Sequence, residues 1–165
     1  MPKVNFYAMK LDFANLIKMD KDFPSETDFA FLIFQPEIEN SEKKHDEYIL
    51  TAYRIGSDWK TKARVDAKYL TPDSAKSDPI KGKLNFANLP FSRQRIKGYI
   101  EQDPGGSLIN YLHLVPEKYD RDNSYISYRI TPIYKTSHGP GEGALPAPPP
   151  PPPADYLQPS PPANT

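Results

Sequence analysis

Catalysis needs a nucleophile, an acid or base of suitable pKa, or a metal held by converging ligands, and this sequence is poor in all three. It has no cysteine, which excludes a disulfide scaffold, a thiolate metal site and a cysteine nucleophile together. Of its three histidines, His45 lies in the charged run Lys43-Lys44-His45-Asp46-Glu47, which reads as a solvated loop. His113 sits between Leu112 and Leu114, the setting of a sheet-face or satisfied core histidine, and His138 opens a stretch rich in glycine and proline. No two of them have ligand spacing, so no zinc site is expected. Gly139-Pro140-Gly141-Glu142-Gly143 lacks the lysine and the following helix of a phosphate-binding loop and reads as linker. Glu37 and Glu39 would face one way on a strand, as any two alternate carboxylates do. The chain is therefore expected to be non-catalytic, with no cofactor.

Binding chemistry is better represented. The 21 Lys+Arg balance 21 Asp+Glu, yet the signs are segregated. Residues 12–47 hold ten acids and four bases, whereas residues 54–99 hold eleven bases and four acids, so a neutral total hides a dipolar molecule. Lys60, Lys62, Arg64 and Lys68 alternate along one segment, and Arg93, Arg95, Lys97 and Tyr99 along another. On strands these sets would form two basic faces, with Trp59, Tyr69, Phe91 and Tyr99 nearby. Cations for phosphates beside rings for bases are the components of a sheet that binds single-stranded nucleic acid. Against this, Trp59 and Tyr69 fall on the face opposite the lysines, where the simpler expectation is a place in the core. The sequence pI near 6.8 is also low for a strong nucleic-acid binder. The same charge segregation suits a protein partner or self-association, acidic patch against basic patch, with exposed strand edges as a second route.

The elements that would position these residues read mainly as strands. Phe29-Ala30-Phe31-Leu32-Ile33-Phe34 is a continuous apolar run between Asp28 and Pro36, as in a strand buried on both faces. Leu108 to Val115 is its counterpart, entered through the turn sequence Asp103-Pro104-Gly105-Gly106. Residues 125–131 alternate Ile126, Tyr128 and Ile130 with Ser127, Arg129 and Thr131. Residues 59–69 place Trp59, Ala63, Val65, Ala67 and Tyr69 opposite the lysines. Strands are expected near 4–13, 28–35, 47–55, 59–69, 81–87, 94–101, 107–115 and 124–134, with a short helix from Phe13 to Met19 as the alternative at that point. The fold class is mainly β, an antiparallel sandwich or barrel of about eight strands.

Two segments echo each other. Lys10-Leu11-Asp12-Phe13-Ala14-Asn15-Leu16 recurs as Lys83-Leu84-Asn85-Phe86-Ala87-Asn88-Leu89 with one change. Leu32, Pro36 and Glu37 are matched by Leu112, Pro116 and Glu117, and Tyr53-Arg54-Ile55 by Tyr128-Arg129-Ile130. The offsets are 73, 80 and 75 residues, which suggests two related units, 10–60 and 83–135, packed in one domain. The β domain is placed at 1–135. From Thr136 to Thr165, 11 of 30 residues are proline and none is Lys or Arg, so this stretch is expected to be a disordered tail. Its six consecutive prolines favour polyproline II, either as a ligand for an aromatic groove or as a spacer. Tyr156 and Leu157 are the bulky apolar pair that would anchor it.

No stretch approaches the roughly 18 apolar residues of a membrane-spanning helix. The first ten residues lack the pattern of a secretory signal, so no membrane association and a cytoplasmic location are expected. The favoured function is a non-catalytic macromolecular binding or assembly protein using its charged strand faces and tail. A single-stranded nucleic-acid binder on an oligonucleotide-binding type of barrel is the first alternative. An enzyme or small-ligand carrier with a site invisible in the sequence is the second.

Overall fold

Strand-forming sequence dominates the described part of the chain, which in this computed structural model comprises residues 4–40, 46–76, 87–118, 125–135 and 155–157. A strand β1 (Val4–Asp12) runs into helix α1 (Phe13–Asp22) and is followed by β2 (Phe31–Asn40) and β3 (Asp46–Ile55). Short β4 (Lys62–Arg64), a 3-10 helix (Ala67–Tyr69) and β5 (Leu70–Lys76) come next. Strand β6 (Leu89–Ser92) then runs into α2 (Arg93–Gln102), followed by β7 (Ile109–Lys118) and β8 (Ile126–Tyr134), and β9 (Asp155–Leu157) closes the order.

The element order strand-helix-strand-strand thus occurs twice, and the two sets interlock. The first strand of each set pairs with the second strand of the other: Leu11 opposes Leu112 and Met9 opposes Leu114, while Phe91 opposes Leu32 and Leu89 opposes Phe34. Leu11 to Phe91 and Leu32 to Leu112 are both steps of 80 residues, so one pairing maps onto the other. The helices start alike, with the Asp12 carboxylate accepting from the Asn15 backbone N–H and the Ser92 hydroxyl from that of Arg95. Of the three sequence echoes, that of Leu32, Pro36 and Glu37 with Leu112, Pro116 and Glu117 has this offset. In the heptapeptide echo, Phe13 to Leu16 are helical, whereas Ala87 to Leu89 precede α2 and enter β6. Ala52 opposes Phe34 as Ile130 opposes Leu114, so Tyr53 corresponds to Thr131 rather than to Tyr128.

The strands form one sheet in the order β6-β2-β3-β1-β7-β8-β9, with β4 added to β3 and β5 to β1. Pairing is antiparallel throughout except between β1 and β3. The sheet curls into an open half-barrel, and its end strands β6 and β9 approach within 8 Å. Of the expected sandwich or barrel, the mainly β character holds, and the sheet is a single curled one, open as a half-barrel rather than a closed barrel or a two-sheet sandwich. Its concave side carries Met9, Leu11, Leu32, Phe34, Leu50, Leu89, Phe91, Leu112, Leu114 and Tyr128, all essentially buried, against Phe13 and Leu16 of α1 and Ile96 of α2.

Three expectations change. Residues 93–102 are helical rather than extended, because Ile96, Tyr99 and Ile100 stand at helical spacing behind the Ser92 cap. The strand expected at 59–69 shrinks to Lys62–Arg64, since Asp58 accepts from the Lys60 and Thr61 N–H groups and Asp66 from that of Lys68, each side chain turning the backbone. Residues 155–157, inside the segment expected to be disordered, form β9 and bury Leu157 completely. The remaining residues of 136–165, residues 81–86 of the strand expected at 81–87, and His45 and His138 lie outside the described residues, and Ala87 is not in a strand.

A buried carboxylate and a buried phenol mark the limits of this core. Asp103 follows α2, and its two oxygens accept from the backbone N–H groups of Ser107, Leu108 and Ile109 at 3.1, 2.9 and 2.7 Å, which fixes the approach to β7. The Tyr128 hydroxyl, by contrast, has no hydrogen-bond partner, and burial pushes its pKa well above the usual phenol range. Tyr128→Phe is expected to raise the unfolding free energy by about 1 kcal/mol at pH 7, because it removes an unsatisfied donor. The folded-state pKa lies above 10, so neutral Tyr128 supports the fold below pH 10 and that support drains away as the unfolded chain ionises. Above pH 10 the variant should therefore lose stability less steeply than the wild type, by about 1.4 kcal/mol per pH unit in urea unfolding. A less stable variant at pH 7 would mean that the hydroxyl is satisfied.

Candidate nucleic-acid interface

The convex side of β2, β3 and β4 carries the side chains that alternation keeps out of the core. Register places Phe31, Ile55 and Lys62 in one cross-strand row, and Pro90, Ile33, Tyr53 and Arg64 in the next. Lys62 holds its ammonium 4.4 Å from the centre of the Tyr53 ring. Arg64 is exposed at 3.8 Å from Glu37, a carboxylate that also accepts from the Thr51 hydroxyl at 3.0 Å.

Trp59 completes this face. Sequence reading placed it in the core; instead it is 65% exposed, the only large apolar side chain so exposed among the described residues. Its ring stacks on Phe31 at 5.4 Å between centroids and 22° between planes, leaving the other face to solvent. Its φ of 61° lies in the left-handed region, which for a bulky residue costs roughly 1 kcal/mol or more and is uncommon outside functional or forced turns.

The turn that holds Trp59 there is built for rigidity. Gly56 donates to the Thr61 carbonyl at 3.1 Å and Trp59 N–H to the Gly56 carbonyl at 3.0 Å. Ser57 N–H donates to the Glu26 carbonyl at 2.8 Å, and Arg54 reaches the Asp28 carbonyl while its guanidinium lies 3.5 Å over the Phe23 ring. A Cβ at Gly56 would meet the Thr27 carbonyl oxygen at 1.8 Å, so only glycine lets the turn pack against residues 25–28.

The expected basic residues divide. Lys60 is exposed in the turn beside Trp59, and Lys62 and Arg64 follow on β4, so these three share one neighbourhood with the ring stack. Lys68 sits on the 3-10 helix, 3.8 Å from Asp66 and over the Tyr69 ring. The second set stands on α2, not on a strand, and its members point different ways. Lys97 is exposed, Arg95 lies 5.2 Å over Phe91, and Tyr99 is buried. Phe91, once a candidate ring for stacking, belongs wholly to the core.

Arg93 is the clearest departure. Although it is the first residue of α2, it is buried, pairing with Asp20 at 3.0 Å. It also donates to the carbonyls of Asp20, Pro24 and Phe29 at 3.1–3.2 Å. It thereby satisfies carbonyls at the end of α1 and in the following loop, joining the two units. Sequence alternation with Arg95 and Lys97 gave no sign of this role; the acids and apolar residues of 20–29 that surround it are distant in sequence.

His113 lies on the convex face of β7, its Nε2 3.0 Å from an Asp73 carboxylate oxygen, with the Tyr111 ring edge-on to it. A shallow opening of about 500 Å³ runs along α2, lined by Glu26, Arg93, Gln94, Lys97, Gly98 and Glu101. Its wall mixes two acids with the already satisfied Arg93. Among the described residues no group of three or more potential metal ligands stands together, and no helix is long and apolar enough to cross a membrane.

A structural Arg93 and a surface Lys62 respond differently to substitution. Arg93→Met is expected to cost about 3 kcal/mol in denaturant unfolding, since it strands Asp20 and three carbonyls, and to leave any ligand affinity of the folded fraction unchanged. Equal stability of this variant and the wild type would remove Arg93 from the joint between the units. No known protein family, no curated protein and no solved structure matches this chain.

Proposed function

We propose that the protein is a non-catalytic macromolecular-binding protein and that the ligand of its convex β2–β3–β4 face is single-stranded nucleic acid. The observation that carries this reading is Trp59, exposed, conformationally strained and stacked on Phe31, with Lys60, Lys62 and Arg64 around it. An unpaired base stacks on the free face of the indole, extending the Trp59–Phe31 stack by one ring. The flanking cations lie where the phosphates on either side of that base pass, and the rigid turn means that no ordering of the platform is required on binding. Duplex bases are already stacked on their neighbours, so the platform favours unpaired strands.

Association with a protein partner is the second reading, and the same tryptophan favours it, because exposed Trp beside cations is also the composition of a binding hot spot. The proline-rich segment 136–154 would serve either function as a ligand or as a spacer.

The chain has a single tryptophan, so its intrinsic fluorescence reports on this site alone. Titration with a dT oligonucleotide at low salt is expected to quench the Trp59 emission, with a log–log salt slope near −2 for three phosphate contacts. Lys60→Glu with Lys62→Glu should weaken binding by at least about tenfold without moving the melting temperature, and Trp59→Ala should cost about 1–3 kcal/mol of affinity, measured by anisotropy of a labelled strand. Unquenched fluorescence at low salt would leave the protein-partner reading in its place.

A further inference from the structure

The curled sheet has a seam, and a three-residue strand fills it. β9 pairs with the free edge of β8, Leu157 opposite Tyr128, Tyr156 opposite Arg129 and Asp155 opposite Ile130, and it lies beside β6. Leu157 is fully buried and belongs to the core. In the first strand-helix-strand-strand set the gap between β3 and β1 is closed by direct β1–β3 pairing and by β5, seven residues long, which pairs with β1 and lies beside β3. In the second set the occupant is three residues long and is separated from β8 by residues 135–154, eight of them proline.

We infer that this seam is a peptide-binding site of the strand-addition type, and that Asp155-Tyr156-Leu157 is a ligand carried on the same chain. The chemistry it selects is an extended segment with an aliphatic side chain at the position of Leu157. Backbone hydrogen bonds to β8 supply orientation and the buried leucine supplies most of the attraction. A strand of three residues opens before the rest of the sheet. When it opens, β8 presents an unpaired edge and the seam offers an apolar hole of leucine size, and a second segment of the same chemistry can enter. The tether keeps the resident segment at an effective concentration on the order of a millimolar, so the site is closed to weaker ligands while the resident leucine is intact. This inference is independent of the nucleic-acid reading, which concerns the convex side of other strands.

The test is complementation in the full-length chain. Leu157→Asp puts a carboxylate where the seam is dry, which expels β9. A fluorescein-labelled heptapeptide of residues 153–159 should then bind the L157D protein at least about tenfold more tightly than it binds the wild type, whose own segment competes. It should raise the melting temperature of L157D and leave that of the wild type unchanged. The same peptide with Leu157→Asp should do neither. If L157D does not fold alone, it is refolded with about a millimolar of each peptide, and recovery of strand signal only with the leucine-bearing one supports the inference. A folded L157D that leaves the peptide unbound, or one that neither peptide refolds, overturns it.

Discussion

The fold depends on a reciprocal constraint: neither strand-helix-strand-strand set can complete its own sheet. β1 lies against β7 and β6 against β2, so the first strand of each half is buried only when the other half is present. An isolated first set would leave the Leu11 and Met9 edge of β1 without its partner, and an isolated second set would leave Phe91 and Leu89 exposed. Pairing Leu11 with Leu112 closes a loop of about a hundred residues, an entropy cost that must be met before the contact contributes anything. The two halves therefore fold together. Arg93 reinforces the same joint with polar contacts, tying the start of α2 to the end of α1 and the loop after it. A buried guanidinium is tolerated because Asp20 and three carbonyls share its donors.

Equivalent backbone positions carry different chemistry in the two halves. Phe31 and Tyr111 both begin the convex row of a second strand, as Ile33 and His113 both continue it. On β7 the row is polar and internally satisfied, with Lys10 over the Tyr111 ring and His113 against Asp73. On β2 it is apolar and aromatic, and there a hairpin, β3 turning into β4, lays an indole over the row and cations at its rim. Since the shared architecture would stand with or without that hairpin's tryptophan, packing does not account for an exposed, strained Trp59.

Much of this architecture was legible in the sequence, and what was not has physical causes. The runs at 29–34 and 108–115 and the alternation at 126–130 belong to β2, β7 and β8, because strands that form the centre of a sheet are strongly patterned. α2 was misread since ten residues carry fewer than three helical turns, and Arg93, Arg95, Lys97 and Tyr99 alternate as well as they spiral. Trp59 was assigned to the core by an alternating pattern over residues 59–69, which Asp58 just before it and Asp66 within it break by capping turns. Of the sequence echoes, that of Leu32, Pro36 and Glu37 falls on equivalent positions of the two strand-helix-strand-strand sets, whereas that of residues 10–16 does not, since one copy starts a helix and the other precedes β6. At β9 the sequence marked Tyr156 and Leu157 as an anchoring pair but not as a strand, because three residues after a proline run cannot announce a strand that exists only by virtue of its partner.

Burial of Arg93 also changes how the charge segregation should be understood. Among the bases of residues 54–99, Arg93 is neutralised by Asp20, Lys68 stands beside Asp66, Arg54 reaches back to a carbonyl over a ring, and Arg64 has Glu37 within 4 Å. The local field near Trp59 thus comes chiefly from Lys60 and Lys62, with the Asp58 carboxylate accepting from the Lys60 and Thr61 N–H groups in the same turn. Two or three exposed cations give weak steering at physiological salt, where the Debye length is about 8 Å. An interface so lightly charged cannot hold a polyanion by counterion release alone. On the nucleic-acid reading proposed above, most of the affinity then comes from stacking of an unpaired base on the indole.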